Sequence, residues 1–350
     1  MNLLKESFRG IKNIYARKFT EQLKPRWIWF EVTDRCNSRC THCNIWRKKS
    51  TSNPLTLKEI ERAFRSPLFF GLECILNSGG EPVLREDIED LLLLERAIFP
   101  NAKLHLSTNG LLAERVVEVV RALSRKNVSL EVGVSLDGVG EKHDRIRGVS
   151  GNFEKIDRLL RQLVALRKEF GTVDPLVGFT LSDLTAENFA EVKSYADSVG
   201  VPFAVQWYNQ SSFYDNEGKN ERGSPDQEKI SCVVRSLPSN FLNEKWLDSL
   251  KGKSIAFPCF AAFTFCVLKC NGDIVPCLSF WDKKIGNIRD QDPQIIWHSL
   301  QAKEVRSAVK GCAGCLNSWG LGWSVNSYVN HAIMYYLKRP GLLLKRLKKT

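Results

Sequence analysis

The stretch Cys36-Asn37-Ser38-Arg39-Cys40-Thr41-His42-Cys43 decides the reading of this chain. It follows directly on the apolar, strand-like run Trp27-Ile28-Trp29-Phe30-Glu31-Val32-Thr33, so three thiols sit on one short loop at the end of a strand. A cubane iron–sulfur cluster has four irons, and three cysteine ligands leave one iron open to bind and activate a small molecule. A zinc loop is the competing reading. Zinc knuckles, however, pair one C-x2-C with a second, and no second pair lies nearby in the sequence.

The C-x3-C-x2-C spacing, with His42 just before the last cysteine, resembles the signature of the radical S-adenosylmethionine (SAM) superfamily. The resemblance implies a [4Fe-4S] cluster whose open iron chelates SAM. It also implies reductive cleavage of SAM to a 5′-deoxyadenosyl radical, and abstraction of a hydrogen atom from a substrate.

From Trp27 to Tyr208 apolar strand-like runs alternate with helical patterns. Strands are expected at 27–33, 72–77, 103–107, 129–136, 176–181 and 203–207, with helices at 56–65, 86–98, 112–125, 151–170 and 185–199. This α/β alternation predicts a parallel sheet covered by helices, either a partial barrel or a doubly wound sheet. The family resemblance selects a partial (β/α)6 TIM-like barrel with its active site at the C-terminal strand ends.

The next motifs fall at those strand ends. Ser78-Gly79-Gly80-Glu81-Pro82 follows the second strand. Glycines let backbone approach a ligand and a carboxylate accepts bonds from an ammonium group, although the same residues make ordinary tight turns. The resemblance assigns Gly79, Gly80 and Glu81 to the SAM amino group. Ser107-Thr108-Asn109-Gly110 and Ser135-Leu136-Asp137-Gly138 end the third and fourth strands, and suit either ribose hydroxyls or helix caps. The resemblance places Ser135 near the ribose and Arg147, in Asp144-Arg145-Ile146-Arg147-Gly148, near the SAM carboxylate, with His42 and Asn109 also beside the cofactor.

A second cysteine set lies near the end of the chain. Cys259 is followed by twelve residues, Gly272, four residues and Cys277, and then by the pair Cys312 and Cys315. This resembles a shortened SPASM extension, the half-size twitch form, and implies one auxiliary iron–sulfur cluster on Cys259, Cys277, Cys312 and Cys315. Four thiolates also suit zinc. Cys266 reads as core, Cys270 as a competing ligand, and Cys74 and Cys232 as buried small hydrophobes.

The 350 residues, 43% hydrophobic, allow a large core. The charged stretch from Lys5 does not read as a secretory leader, so the eleven cysteines suggest thiolates in a reducing cytosol. The net charge of +12 is concentrated in residues 1–26 and 328–350. Residues 3–23 carry Leu4, Phe8, Ile11, Tyr15 and Phe19 at helical spacing beside lysines and arginines. Trp319, Trp323, Tyr328, Tyr335 and Tyr336 precede a basic tail. Either end suits a peripheral contact with an anionic membrane or packing on the barrel, and neither pattern favours nucleic acid.

The expected organisation is therefore an N-terminal helix (1–26), a radical SAM core (27–208), a bridging segment (209–258), an auxiliary-cluster domain (259–318) and a tail (319–350). The expected activity is radical modification or oxidation of a sugar, aminocyclitol or lipid-linked small molecule, with electrons from a flavodoxin or ferredoxin. A peptide maturase and a non-catalytic redox sensor are the alternatives.

Overall fold

A computed structural model of the chain describes residues 3–19, 23–50, 53–216, 227–253, 257–312, 318–328 and 330–337. Six parallel strands, β1 (Trp27–Thr33), β2 (Cys74–Gly79), β3 (Lys103–Thr108), β4 (Leu130–Ser135), β5 (Val173–Leu181) and β6 (Phe203–Trp207), lie side by side in chain order. The helices after them are α2 (Leu57–Phe64), α3 (Ile88–Ile98), α4 (Ala113–Arg125), α5 (Glu141–Arg147), α6 (Asn152–Phe170) and α7 (Phe189–Ser198). The (β/α)6 expectation holds, with one short helix, α5, added. Every residue of β1 is buried, which explains its mainly apolar run, broken by Glu31: one face meets the helices and the other the barrel interior.

After α8 (Gln227–Ser236) and α9 (Phe241–Leu250), the chain returns as β7 (Phe265–Leu268), β8 (Asp273–Val275) and β9 (Gly286–Asn287). β7 pairs parallel to β1, with Trp27 opposite Phe265 and Phe30 opposite Leu268, and β8 and β9 continue antiparallel. The C-terminal hairpin thus extends the barrel sheet to nine strands. Helices α10 (Pro293–His298), α11 (Leu300–Lys310), α12 (Ser318–Ser327) and α13 (Asn330–Leu337) follow.

The inner face of the sheet is divided. On β1, β2 and β7 it is aromatic and aliphatic, with Trp27, Trp29, Leu76, Phe265 and Val267 packed together. On β3 to β6 it is polar or small apart from Leu176, and a cleft opens there. α12 closes the bottom of the barrel, where Trp323 stacks on Trp27 at 6.3 Å and Trp319 meets His105 edge-on at 5.6 Å. These two tryptophans belong to the barrel interior, the packed alternative of the two readings of this end.

The N-terminal stretch forms the expected helix, α1 (Leu3–Phe19). It packs on α12 and α13 through its small face: Gly10, Asn13 and Ala16 are buried, and a Cβ at Gly10 would lie 2.2 Å from Asn330 Oδ1. Asn13 donates to the Ser327 carbonyl at 2.8 Å. The apolar stripe faces outward instead, with Phe8 72%, Ile11 56%, Tyr15 56% and Phe19 53% exposed.

Candidate active site and metal centre

Backbone hydrogen bonds from two directions hold the loop that carries Cys36, Cys40 and Cys43. The Arg39 and Thr41 amides donate to the Arg147 and Ile146 carbonyls at 3.0 and 2.9 Å, at the end of α5. On the other side, Gly80 N donates to the Thr33 carbonyl at 2.7 Å and Glu81 N to the Arg35 carbonyl at 2.8 Å. A Cβ at Gly79 would meet the Thr33 oxygen at 2.3 Å, and one at Gly80 the Arg35 oxygen at 2.0 Å. These glycines are therefore required by the cysteine loop's own approach, in addition to any ligand.

All three cysteines line one cleft with His42, Trp46, Ser78, Gly79, Gly80, His105, Ser107, Asn109, Ser135, Arg147, Thr180, Gln206, Tyr208 and Asn209. Of the residues expected around SAM, the structure brings His42, Gly79, Gly80, Asn109, Ser135 and Arg147 to this cleft. Glu81 does not line it. Its carboxylate is fully enclosed and accepts from Thr108 Oγ1 at 2.9 Å, Asn109 N at 2.6 Å and Val83 N at 3.4 Å. Burial raises its pKa to about 7, against the pull of those donors.

Arg147 forms a buried ion pair with Asp137 at 2.8 Å and donates to Cys40 Sγ at 3.7 Å. Asp137 in turn accepts from Thr180 N at 2.8 Å, which makes it a structural counter-ion. Burial opposes the charge of Arg147, but Asp137 and the neighbouring thiols outweigh it and hold the guanidinium firmly protonated. Asn109 Nδ2 points at Cys36 Sγ, at 3.8 Å, and bonds Asn37 Oδ1 at 2.8 Å.

The segment after β6, read from sequence only as a bridge, covers the cysteine loop. Asn44 N donates to the Tyr214 carbonyl and Asn44 Nδ2 to the Asp215 carbonyl, both at 2.8 Å, while Asn216 Nδ2 reaches the His42 carbonyl at 3.1 Å. Tyr208 meets His42 edge-on at 6.3 Å. No side-chain motif announces these contacts, because the acceptors are backbone carbonyls.

The residues present fit an iron–sulfur cluster and its ligand. Burial raises the Cys36 thiol to about 11 and the Cys43 thiol to about 12. No three His, Cys, Asp or Glu side chains among the described residues converge on a single-ion position. A cubane instead takes one cysteine at each of several irons. Two buried donors lining the cleft, Arg147 Nε and Asn209 Nδ2, have no partner among the described residues, as expected of groups awaiting a polar ligand.

In the C-terminal set, Cys259, Cys277 and Cys312 are each half-buried, and Cys315 lies outside the described residues. Arg17 of α1 ties this region together. Its Nε donates to the Cys259 carbonyl at 2.8 Å, and its charge is felt by Cys259 and Cys312. Cys266 is sealed in β7 and Cys270 is buried with its amide on Glu31 Oε2 at 3.0 Å. Cys232 is exposed on α8 and Cys74 half-buried at the start of β2, which corrects their expected burial.

Residues 30–192 match the Radical SAM superfamily and residues 259–316 match SPASM, an iron–sulfur cluster-binding domain. The AdoMet-dependent heme synthase of Methanosarcina barkeri is 27% identical over 83% of this chain and 91% of its own length. The Fe-coproporphyrin III synthase of the same organism is 36% identical, over 39% of this chain and only a third (33%) of its own length. SAM-bound SuiB of Streptococcus suis is alike in fold, with a TM-score of 0.62 at 20% identity, covering 85% of this chain and 71% of SuiB. On these matches the chain belongs to the radical SAM superfamily and carries a SPASM domain, so its cofactors are SAM, a [4Fe-4S] cluster and an auxiliary iron–sulfur centre.

Proposed function

We propose that this chain is an enzyme that takes a hydrogen atom from a hydroxyl-bearing small molecule, a sugar, aminocyclitol or glycan headgroup, held inside the barrel. When bound, the cluster and SAM supply the chemistry: an electron, ultimately from a flavodoxin or ferredoxin, splits the sulfonium to a 5′-deoxyadenosyl radical. Cys36, Cys40 and Cys43 would ligate the cluster, and Cys259, Cys277, Cys312 and Cys315 the auxiliary centre. Gly79 and Gly80 would offer backbone to the SAM amino group, with Glu81 bracing them. Arg147 would direct its free Nε to the carboxylate, and Ser135 and Asn109 would take the ribose.

The observation that carries this reading is the inner lining of β3 to β6. Ser107, Thr180 and Gln206 share one cleft with the three thiols. Hydroxyl and amide groups recognise hydroxyls, whereas a polycarboxylate would require free cations.

A tetrapyrrole is the second reading, favoured by the end-to-end similarity to the heme synthase. The test is deuterium transfer into 5′-deoxyadenosine from C-deuterated polyols and aminosugars, set against coproporphyrin and peptide panels. Transfer from the first panel alone is expected. Transfer only from porphyrin, or only from peptide, overturns the reading, and no SAM cleavage under reduction overturns catalysis altogether.

We also infer a peripheral contact with an anionic lipid surface through α1. The outward stripe of Phe8, Ile11, Tyr15 and Phe19 is flanked by Arg9, Lys12 and Lys18, an arrangement that suits insertion at headgroup depth. No described helix is long and apolar enough to cross a membrane. Arg9 pairs with Glu73, just before β2, so this surface lies by the N-terminal strand ends, away from the cysteine loop. Flotation with phosphatidylglycerol vesicles should capture the wild type and lose Ile11→Ser/Phe19→Ser. Equal flotation of both overturns the contact.

A further inference from the structure

We propose that Ser107 and His105 form a proton-accepting relay for the substrate hydroxyl, with Glu131 positioning the imidazole, along a path from the cleft through the barrel floor to solvent. Residues 103, 105 and 107 alternate on β3 and so share its inner face. The β3–β4 register sets His105 opposite Glu131 and Ser107 opposite Gly133. The contacts run in series: Ser107 Oγ to His105 Nε2 at 3.1 Å, His105 Nδ1 to Glu131 Oε1 at 2.8 Å, and Lys103 Nζ to Glu131 Oε2 at 2.6 Å.

The surroundings are shaped around the ring. A Cβ at Gly133 would lie 2.8 Å from both His105 Cε1 and Nε2, so any side chain there would evict the imidazole. Trp319 covers it from α12. Ser107 and His105 both line the cleft that holds the three cysteines. Side-chain exposure rises along the series, from 3% at His105 to 18% at Glu131 and 56% at Lys103, so one end meets the ligand space and the other meets water. The other titratable groups near the path are Cys74 on β2, opposite Lys103, and Asp174 on β5, opposite Glu131.

Protonation states follow from the partners. Burial raises the Glu131 pKa, but the bonds from His105 and Lys103 more than offset it and bring it to about 2. An ionised carboxylate only accepts, so Nδ1 carries a proton, and the relay requires that Nε2 present its lone pair to the Ser107 hydroxyl. Ser107 Oγ is then free to accept a bond from a ligand hydroxyl.

The inference rests on the hydroxyl-substrate reading above. In the step, the carbinol C–H hydrogen atom goes to the 5′-deoxyadenosyl carbon, giving 5′-deoxyadenosine. The carbinol O–H proton passes to Ser107 Oγ as the Ser107 proton passes to His105 Nε2. The one remaining unpaired electron leaves to an oxidised iron–sulfur cluster, and the carbon–oxygen bond becomes a carbonyl.

The deciding measurement is histidine-selective 15N NMR on the full chain with oxidised clusters and SAM, the His105 signal being the one that moves in Ser107→Ala. An Nδ1-protonated ring with an unprotonated, hydrogen-bonded Nε2 is expected, and the tautomer preference should weaken in Glu131→Gln. An Nε2-protonated ring overturns the relay, because such a nitrogen cannot accept. With C-deuterated myo-inositol and glucosamine as probes, His105→Gln should keep deuterium transfer into 5′-deoxyadenosine while carbonyl formation falls by about 10²-fold or more. Glu131→Gln should shift the acid limb of the pH profile. Equal carbonyl formation in His105→Gln and wild type overturns the relay. A wild type that transfers no deuterium from either probe overturns the substrate reading instead, and the tautomer then decides the relay by itself.

Discussion

Replacing Gly148 by alanine tests how the cysteine loop is held. Gly148 caps α5 at φ +69°, and an added Cβ would lie 2.3 Å from the Arg39 carbonyl oxygen and 2.8 Å from Arg39 Cβ. Gly151, three residues on, has φ +72° with nothing within 4 Å of its added Cβ, and so serves as the control for backbone conformation alone. The left-handed conformation costs an alanine roughly 1–2 kcal/mol, offset by about 0.4–1 kcal/mol of unfolded-state entropy in both variants. The contact with Arg39 adds overpacking of about 1–3 kcal/mol in Gly148→Ala only, because a backbone oxygen cannot rotate away as a side chain can. Urea unfolding followed by tryptophan fluorescence should therefore separate the two variants by about 1–3 kcal/mol. Iron retained per chain after reconstitution should fall in Gly148→Ala alone, since Arg39 precedes Cys40. Equal stability losses and equal iron content in the two variants would refute the argument that this glycine is a packing requirement of the loop.

Asp137→Asn leaves Arg147 buried without its counter-ion and should destabilise by about 3–5 kcal/mol in the same urea experiment; a loss below about 1 kcal/mol would show that Cys40 and solvent suffice. The Glu59 carboxylate, held by hydrogen bonds from Arg289 and Thr56, is lowered to about 2 from its ordinary 4.5, so its contribution is complete above pH 4.5 and lost as pH falls through about 2. Glu59→Gln should accordingly be less stable than wild type at neutral pH and converge with it near pH 2, whereas a gap that persists there, measured by acid unfolding, contradicts this. Cys232 should be the fast-reacting thiol in iodoacetamide labelling of the folded chain, and Cys232→Ser should leave iron content unchanged; slow labelling there means α8 is covered.

Much of the barrel was legible because its physics is local. The fully buried run Trp27–Thr33 and the amphipathic stretches that became α4 and α6 state their environments residue by residue. What escaped depends on backbone contacts or on size rather than polarity. The cover over the cysteine loop is made by the carbonyls of Tyr214 and Asp215. The buried face of α1 follows from size: Gly10 and Ala16 permit a closer approach than the bulky stripe does, so the smaller face lies inward. The relay did leave a signal: β3 reads Lys-Leu-His-Leu-Ser-Thr, and the alternating polar residues mark the inner face of a strand whose other face is apolar. The tight Glu81 network was illegible because its partners, Thr108 and Asn109, come from a different strand end.

The docking of α1 against α12 and α13 ties the first described helix to the last, and this constrains the order of assembly on the ribosome. Synthesis proceeds at ~5–20 residues per second, so roughly 300 residues of intervening chain take about 15–60 s. Until α12 and α13 emerge, the small face of α1 lacks the surface it packs on, and the Arg17 seat on the Cys259 carbonyl forms only after residue 259 is made. The helix made first among the described elements is thus one of the last to reach its final packing, because the surface for its small face is made at the other end of the described chain.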